Sequence, residues 1–494
     1  MTSKLTWPAT PSLLPVALAI CMAFPLSAQA ADATTQELLQ ELRALKSRVN
    51  ELEKKLEAQQ TQQAQQAQQA RPAQAASGEG GGSGMTPDQL QDFNRIAVKA
   101  EALEDARDML GFKGLKVSGY MDPSFIYNQR RHQSGFQFLN SVKDGGYTYD
   151  NSYFGGAAID FTKETDSGTR WRLTLVPQRS TQAVSEGSAS ILHEASVSVP
   201  LTDLQTRFIA GHIPDWSGYE YLQPTLNKLI THNLLFDLTL PTAYTGAGME
   251  ILSGKWWSKA VIANMNASKR GDNEKTPVLA YRVDYAKGEF QGFGFAGVHG
   301  RGSNFRQEGQ TNPYTGLSYP TESRVDLFEF DAYFIRGDWT VQGQVSAGRQ
   351  KNAAITLGAD GELRDAMWTG FSGLVAYKFM PWFEGVARLD YINNRKNGGG
   401  LLTYATLDDH NGIGPAYTTY DPAAASDNWA LIDPNKGVNR AALSLGLNYA
   451  FNLNTVFKFE YRFDWATGPI FLDTRTNEGK NTNQLLGTSV VVSF

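Results

Sequence analysis

Along most of the chain the apolar positions recur with a period of two. Thr169-Arg170-Trp171-Arg172-Leu173-Thr174-Leu175 alternates polar with apolar. From Thr340 to Ala347, Val341, Val345 and Ala347 share one face while Thr340, Gln342, Gln344 and Ser346 share the other. The same repeat sets Phe457, Phe459, Tyr461 and Phe463 against Lys458, Glu460, Arg462 and Asp464. Successive side chains of a strand point to opposite faces, so this pattern predicts a sheet with one apolar and one charged face. A soluble sandwich also alternates, but it keeps its aromatics in a closed core and its charges outside.

Connection lengths separate the two architectures. Short turns at Thr165 to Gly168, Pro200 to Asp203, Ser253 to Lys255, Ala286 to Glu289, Arg336 to Asp338, Phe379 to Trp382 and Ala450 to Asn454 alternate with longer polar connections. The longer ones fall at 129–151, 178–190, 213–244, 267–276, 302–322, 350–365, 394–438 and 465–483. Seven turns and eight loops predict about sixteen strands over residues 113–494, with weak strands such as Thr245 to Leu252 leaving fourteen or eighteen open. The fold class expected is all-β transmembrane, an antiparallel outer-membrane β-barrel with short turns on one rim and wide loops on the other. Closure removes the edges that lipid cannot hydrogen-bond. A barrel of that size is too wide for side chains to fill, so a water-filled lumen is expected.

The period changes ahead of this segment. Residues 1–30 have the parts of a secretory signal: Lys4, an apolar run from Leu13 to Phe24, and Ala28-Gln29-Ala30 as the cleavage site. In residues 31–58, Leu38, Leu42, Leu45, Val49, Leu52 and Leu56 recur at alternating steps of four and three, the core of a helical coiled coil. Residues 59–85, a Gln/Ala tract followed by Gly and Ser, read as a flexible linker. Thr86-Pro87-Asp88-Gln89 caps a helix over 86–112, expected at or in the barrel mouth or as an extension of the oligomer contact.

Composition adds exclusions. The single cysteine, Cys21, lies in the signal segment, and the bulky Ile20 before it argues against a lipid anchor. The mature chain then has neither a disulfide nor a thiolate site. A net charge of −5 without a basic block argues against nucleic acid as a partner. The histidines, His132, His193, His212, His232, His299 and His410, are scattered, and no metal or other cofactor is expected. Gly292-Phe293-Gly294-Phe295-Ala296-Gly297 has the spacing of a dinucleotide fingerprint but lacks the helix and acidic residue that motif needs. No nucleophile elbow or histidine-serine constellation suggests an enzyme.

Strand parity turns Arg170, Arg172, Arg207, Arg282, Arg388, Lys458 and Arg462 towards the lumen, together with Asp160, Glu194, Asp284, Glu329, Asp331, Glu384, Asp390, Glu460 and Asp464. Opposed rings of charge would select solutes. The two sets nearly balance, so the same groups could instead be ion pairs that stiffen the wall, and ion preference stays open. The third loop contains Trp216, Tyr219, Glu220, Lys228, His232, Asn233 and Asp237 among Leu234, Leu235 and Phe236. It is too apolar to hang free in water and is expected either to fold inward or to latch onto a rim or neighbouring subunit.

The stretch from Ala210-Gly211-His212 through Gly218-Tyr219-Glu220, then Thr231-His232-Asn233-Leu234-Leu235-Phe236, Pro241 and Tyr244-Thr245-Gly246, resembles OmpL-like β-barrel porins of proteobacteria, within the general porin superfamily. That resemblance implies a Gram-negative outer-membrane porin passing small hydrophilic solutes, with the third loop as its pore constriction. The amphipathic last strand ending in Phe494 resembles the signal that porins present to the barrel assembly machinery. The coiled coil is similar to those of trimeric stalked porins such as the DcaP-like group, which implies a homotrimer with its stalk in the periplasm. The alternative is a structural barrel that tethers envelope layers or displays adhesive loops.

Overall fold

The computed structural model describes residues 99, 113–139, 154–177, 191–265, 277–286, 290–303, 310–401, 415–420 and 429–494. The signal segment, coiled coil and linker, and the capped helix apart from Lys99, lie outside the described residues. No described helix is long and apolar enough to cross a membrane.

The rest is a closed antiparallel barrel of sixteen wall strands. In chain order these are β1 (Leu115–Met121 continuing as Ser124–Asn128), β2 (Gln133–Gln137 and Ala157–Glu164), β3 (Arg170–Leu175), β4 (Leu192–Pro200), β5 (Thr206–Pro214), β6 (Ala243–Ser253), β7 (Trp256–Met265) and β8 (Val278–Ala286). There follow β9 (Gln291–Ser303), β10 (Glu322–Arg336), β11 (Trp339–Gln350), β12 (Ala366–Met380), β13 (Phe383–Asn393), β14 (Arg440–Asn452), β15 (Thr455–Ala466) and β16 (Thr482–Ser493). Each pairs with its chain neighbour, and β1 closes the ring against β16 through Met121↔Val492 and Ser124↔Ser489. The final residue takes part: the Phe494 N–H donates to the Gly119 carbonyl at 3.0 Å, and the Gly119 N–H donates back at 3.0 Å.

Six of the short turns expected from the sequence join antiparallel neighbours; the seventh lies mostly outside the described residues, between the paired strands β8 and β9. One loop does not behave as its composition suggests. Gln133–Gln137, inside the first long connection, is wall strand paired with β1, and β2 resumes at Ala157. Gln133-Ser134-Gly135-Phe136-Gln137 has one large apolar residue, so it carries no alternation to read. Strand β1 is itself interrupted at Asp122 and Pro123, where proline cannot donate to the ladder.

The two faces sort as the alternation requires. Along β15, Lys458, Glu460, Arg462 and Asp464 are buried inside, whereas Phe457, Phe459 and Trp465 are exposed outside. Near the short turns the outward aromatics contact one another, with ring centroids 4.6 Å apart for Trp339 and Tyr377 and 5.4 Å for Trp382 and Tyr449. This is the girdle of a lipid-facing barrel. At the other rim, Tyr417–Tyr420, Trp429–Leu431, Phe471–Asp473 and Glu478–Lys480 form a small sheet of their own within the last two long loops.

Candidate functional site: a loop bound inside the barrel

The connection between β5 and β6 turns into the barrel, and its backbone is held by wall side chains. Arg388, on β13, is fully buried and donates to Glu220 Oε1 (2.8 Å), the Thr231 carbonyl (2.7 Å) and the His232 carbonyl (2.8 Å), while its Nε reaches Asp390 Oδ2 at 3.1 Å. Arg462, on β15, donates to the same His232 carbonyl at 3.0 Å and pairs with Asp464. Glu460 accepts from the Ile230 and Thr231 N–H groups (2.7 and 2.8 Å) and from the Thr231 hydroxyl (2.6 Å). Lys458 donates to the Pro224 and Asn227 carbonyls, each at 2.6 Å. Arginine suits the central position because its planar fork satisfies several acceptors at once.

The loop's own polar residues answer in kind. Lys228 pairs with Glu384 at 2.6 Å, the Tyr219 hydroxyl lies 2.6 Å from Ser372 Oγ, and the Trp216 carbonyl accepts from Arg282 at 2.8 Å. His232 approaches the Tyr221 carbonyl at 2.8 Å through Nε2. Asn233 caps a short helix, α1 (Leu234–Thr239), by accepting from the Phe236 N–H, while its own N–H donates to Glu220 Oε2 at 2.6 Å. Asp237, within α1, is buried.

Apolar contacts complete the seat. Leu234, Leu235 and Leu238 of α1 join a buried cluster with inward-facing Val261, Ala263, Val278, Ala280, Val298, Val325, Leu327 and Trp368. The inner wall is therefore not polar throughout: where α1 rests, β7 to β10 line it with aliphatic side chains and β12 adds Ala366 and Trp368. Glycines make room at two contacts. A Cβ on Gly446 would lie 2.4 Å from Leu229, and one on Gly370 would lie 2.5 Å from Leu235.

The lumen-side charges thus divide into groups. Glu384, Arg388, Asp390, Lys458, Glu460, Arg462 and Asp464 bind the loop or neighbours that do. Arg282 bridges Asp284 and Asp331 at 2.8 Å each, and Glu329 is buried, accepting from Gln344 at 2.7 Å. Arg207 is buried against the Gly168 and Ser198 carbonyls. On the wall of β2 to β4 the arginines remain in contact with solvent. Arg172 reaches Asp160 at 2.9 Å and Glu194 at 3.4 Å yet is 39% exposed, and Arg170, beside Glu164, is 57% exposed. Glu164, Arg170, Arg172 and Glu194, with Lys116 of β1, line a hollow of about 270 Å³ towards the short-turn rim.

Sequence reasoning missed several of the partners. Thr231, Ser372 and Asn448 are hydrogen-bonding seats; parity places the latter two inward, but nothing local marks Thr231. Lys259, inward on β7, lies 4.5 Å over the Trp216 ring, a cation–π contact. No group of three metal-ligating side chains occurs among the described residues.

Residues 12–494 match the family described as Protein of unknown function (DUF3138). The chain belongs to this family. No curated protein matches it. Solved structures similar to this DUF3138 member include the outer-membrane expressed OmpT of Vibrio cholerae (11% identity, 77% of this chain and 97% of that one, TM-score 0.45). The anion-selective porin from Comamonas acidovorans (10% identity, 77% and 99%, TM-score 0.44) and the outer membrane channel DcaP of Acinetobacter baumannii (9% identity, 77% and 97%, TM-score 0.46) are others. All are too distant to carry a role across.

Proposed function

We propose that this protein is a porin of a Gram-negative outer membrane, an OmpL-like barrel passing small hydrophilic solutes or ions by passive diffusion, without catalysis or cofactor. One observation carries the proposal: a closed sixteen-stranded wall, apolar outside and charged inside, holds its third loop within the lumen by buried ion pairs. A loop fixed in that way narrows a channel without depending on the bulk solvent for its position. Trp216, Tyr219, Glu220, Lys228, His232, Asn233 and Asp237 belong to that constriction. The polar hollow beside β2 to β4 is the part of the wall whose charges meet a passing solute.

In this proposal residues 1–30 are removed on export and residues 31–58 trimerise as a periplasmic coiled coil. Residues 59–85 tether that stalk to a helix over 86–112 at the mouth, and the barrel assembly machinery inserts residues 113–494. The test is single-channel conductance of the mature protein in planar bilayers, with reversal potentials under a salt gradient. Stepwise closures in threes are expected. A folded, heat-modifiable barrel that conducts nothing, even after deletion of residues 86–110, would overturn the channel. The aliphatic packing of α1 inside the barrel would then favour a structural, tethering role.

A further inference from the structure

The outward face of β9 to β11 breaks the apolar pattern near the long-loop rim. From Phe334 towards the long-loop rim the outward positions of β10 run Phe334, Ala332, Phe330, Phe328, then Asp326, Arg324 and, at the strand's end, Glu322. Ten positions separate Phe334 from Arg324, about 34 Å along a strand, or about 26 Å of height at a tilt of about 40°. Arg324 therefore comes level with the upper limit of a lipid-facing band about 25 Å tall.

Register places three cations side by side at that level. Arg301 is the direct partner of Arg324, and the Lys351 N–H donates to the Arg324 carbonyl at 2.9 Å, continuing the same rung onto the end of β11. One rung nearer the lipid lie His299, Asp326 and Arg349, paired in register in that order. All four basic residues, Arg301, Arg324, Arg349 and Lys351, are exposed. Arg324 pairs with Asp326 at 2.9 Å and Arg349 with Asp365 at 3.0 Å. Among the described residues, the side chains of Arg301 and Lys351 have no anionic partner. Like charges directly opposed across a ladder, about 5 Å apart at Cβ, destabilise it unless an anion lies between them. Below the rung the surface is apolar and exposed at Leu279, Phe328 and Val345.

We infer that this rung binds the phosphate groups of a phosphorylated glycolipid in the outer leaflet, with its acyl chains lying on Leu279, Phe328 and Val345. The inference rests on the outer-membrane orientation proposed above, with the long loops outside. A soluble phosphate would use the cations but gain nothing from the apolar surface beneath them.

The test is retention of diphosphoryl lipid A, against its dephosphorylated form, by the folded full-length mature protein in detergent, read by native mass spectrometry. We expect at least a tenfold preference for the phosphorylated form. A variant carrying Arg301→Gln, Arg324→Gln and Lys351→Gln should lose it, while Arg336→Gln, at the opposite end of β10, should keep it. Equal retention of the two lipids by the wild type, or an undiminished preference in the triple variant, overturns the inference. Heat-modifiability establishes that each variant is folded. Conductance of the same preparations, expected at the wild-type level, reports on the channel separately.

Discussion

Replacing Arg388 by methionine should release the inner loop. The substitution keeps an unbranched side chain of similar length but strands the buried carboxylates Glu220 and Asp390 and uncouples the Thr231 and His232 carbonyls. Removing one partner of a buried pair costs about 3–5 kcal/mol, because the other charge stays buried without compensation. At about 1.4 kcal/mol per decade, the loop's open population should rise by roughly 100- to 4000-fold. Arg462, Glu460 and Lys458 still hold neighbouring backbone, so the lower figure is the one to expect. Lys228, whose ion pair with Glu384 closes over it, becomes a trypsin site only when the loop leaves its seat. Cleavage after Lys228, followed by fragment mass on the heat-modifiable barrel, should accelerate about 100-fold when opening is fast relative to cutting. Adding Glu220→Gln should recover part of the protection, since it removes one stranded charge. Cleavage within twofold of wild type, or no recovery in the double variant, would refute the clamp.

Three further outcomes follow from the same geometry. Gly446→Val forces Leu229 aside and should expose Lys228 to trypsin at a cost of about 1–3 kcal/mol, whereas outward Gly343→Val, which meets only a carbonyl at 3.8 Å, should leave digestion unchanged. Arg170→Gln with Arg172→Gln removes two solvent-facing cations from the hollow beside β2 to β4, so reversal potentials should move towards cation preference; an unmoved potential would take that wall out of the conducting path. At the long-loop rim, burial raises the Asp473 pKa, but hydrogen bonds from His132, the Arg475 N–H, Arg130 and the Thr476 N–H outweigh it and hold the carboxyl at about 2. A depressed carboxylate stabilises the fold above its unfolded pKa of about 3.9 and loses that contribution as pH falls through 2. Thermal stability measured from pH 5 to 2 should therefore fall more steeply for the wild type than for Asp473→Asn, and parallel slopes would exclude a stabilising role for the hydrogen bonds to Asp473.

The wall was legible because its signal is local. A period of two survives in any short window, so Lys458 to Asp464 declares its two faces without reference to the rest of the chain, and turn lengths give strand order. What could not be read is what crosses the sequence. Arg388 meets Glu220 across 168 residues and Ile230 meets Glu460 across 230. Parity placed these charges inside but left open whether they line water or bind protein. The apolar composition of 213–244 showed that the loop needs cover. Its seat was hidden because the aliphatic residues beneath it, such as Val261 and Ala263, look like ordinary strand residues. The rim sheet went unread because three-residue strands such as Phe471–Asp473 have no period.

The bonds that hold the inner loop also impose an order in time. Every strand that grips Ile230 to His232 belongs to the C-terminal third of the chain, while the loop itself is among the earlier segments to be made. Until β13 to β15 have joined the wall, the Ile230 and Thr231 N–H groups and the Thr231 and His232 carbonyls lack the Glu460, Arg388 and Arg462 side chains that hold them, although the apolar surface of β7 to β10 beneath Leu234, Leu235 and Leu238 is already made. Contacts of such long sequence separation form late, because the intervening chain must be ordered first. A chain halted before its last strands would thus carry an unclamped segment with Lys228 unpaired from Glu384, so a protease that cuts after Lys228 would distinguish unfinished molecules from finished ones.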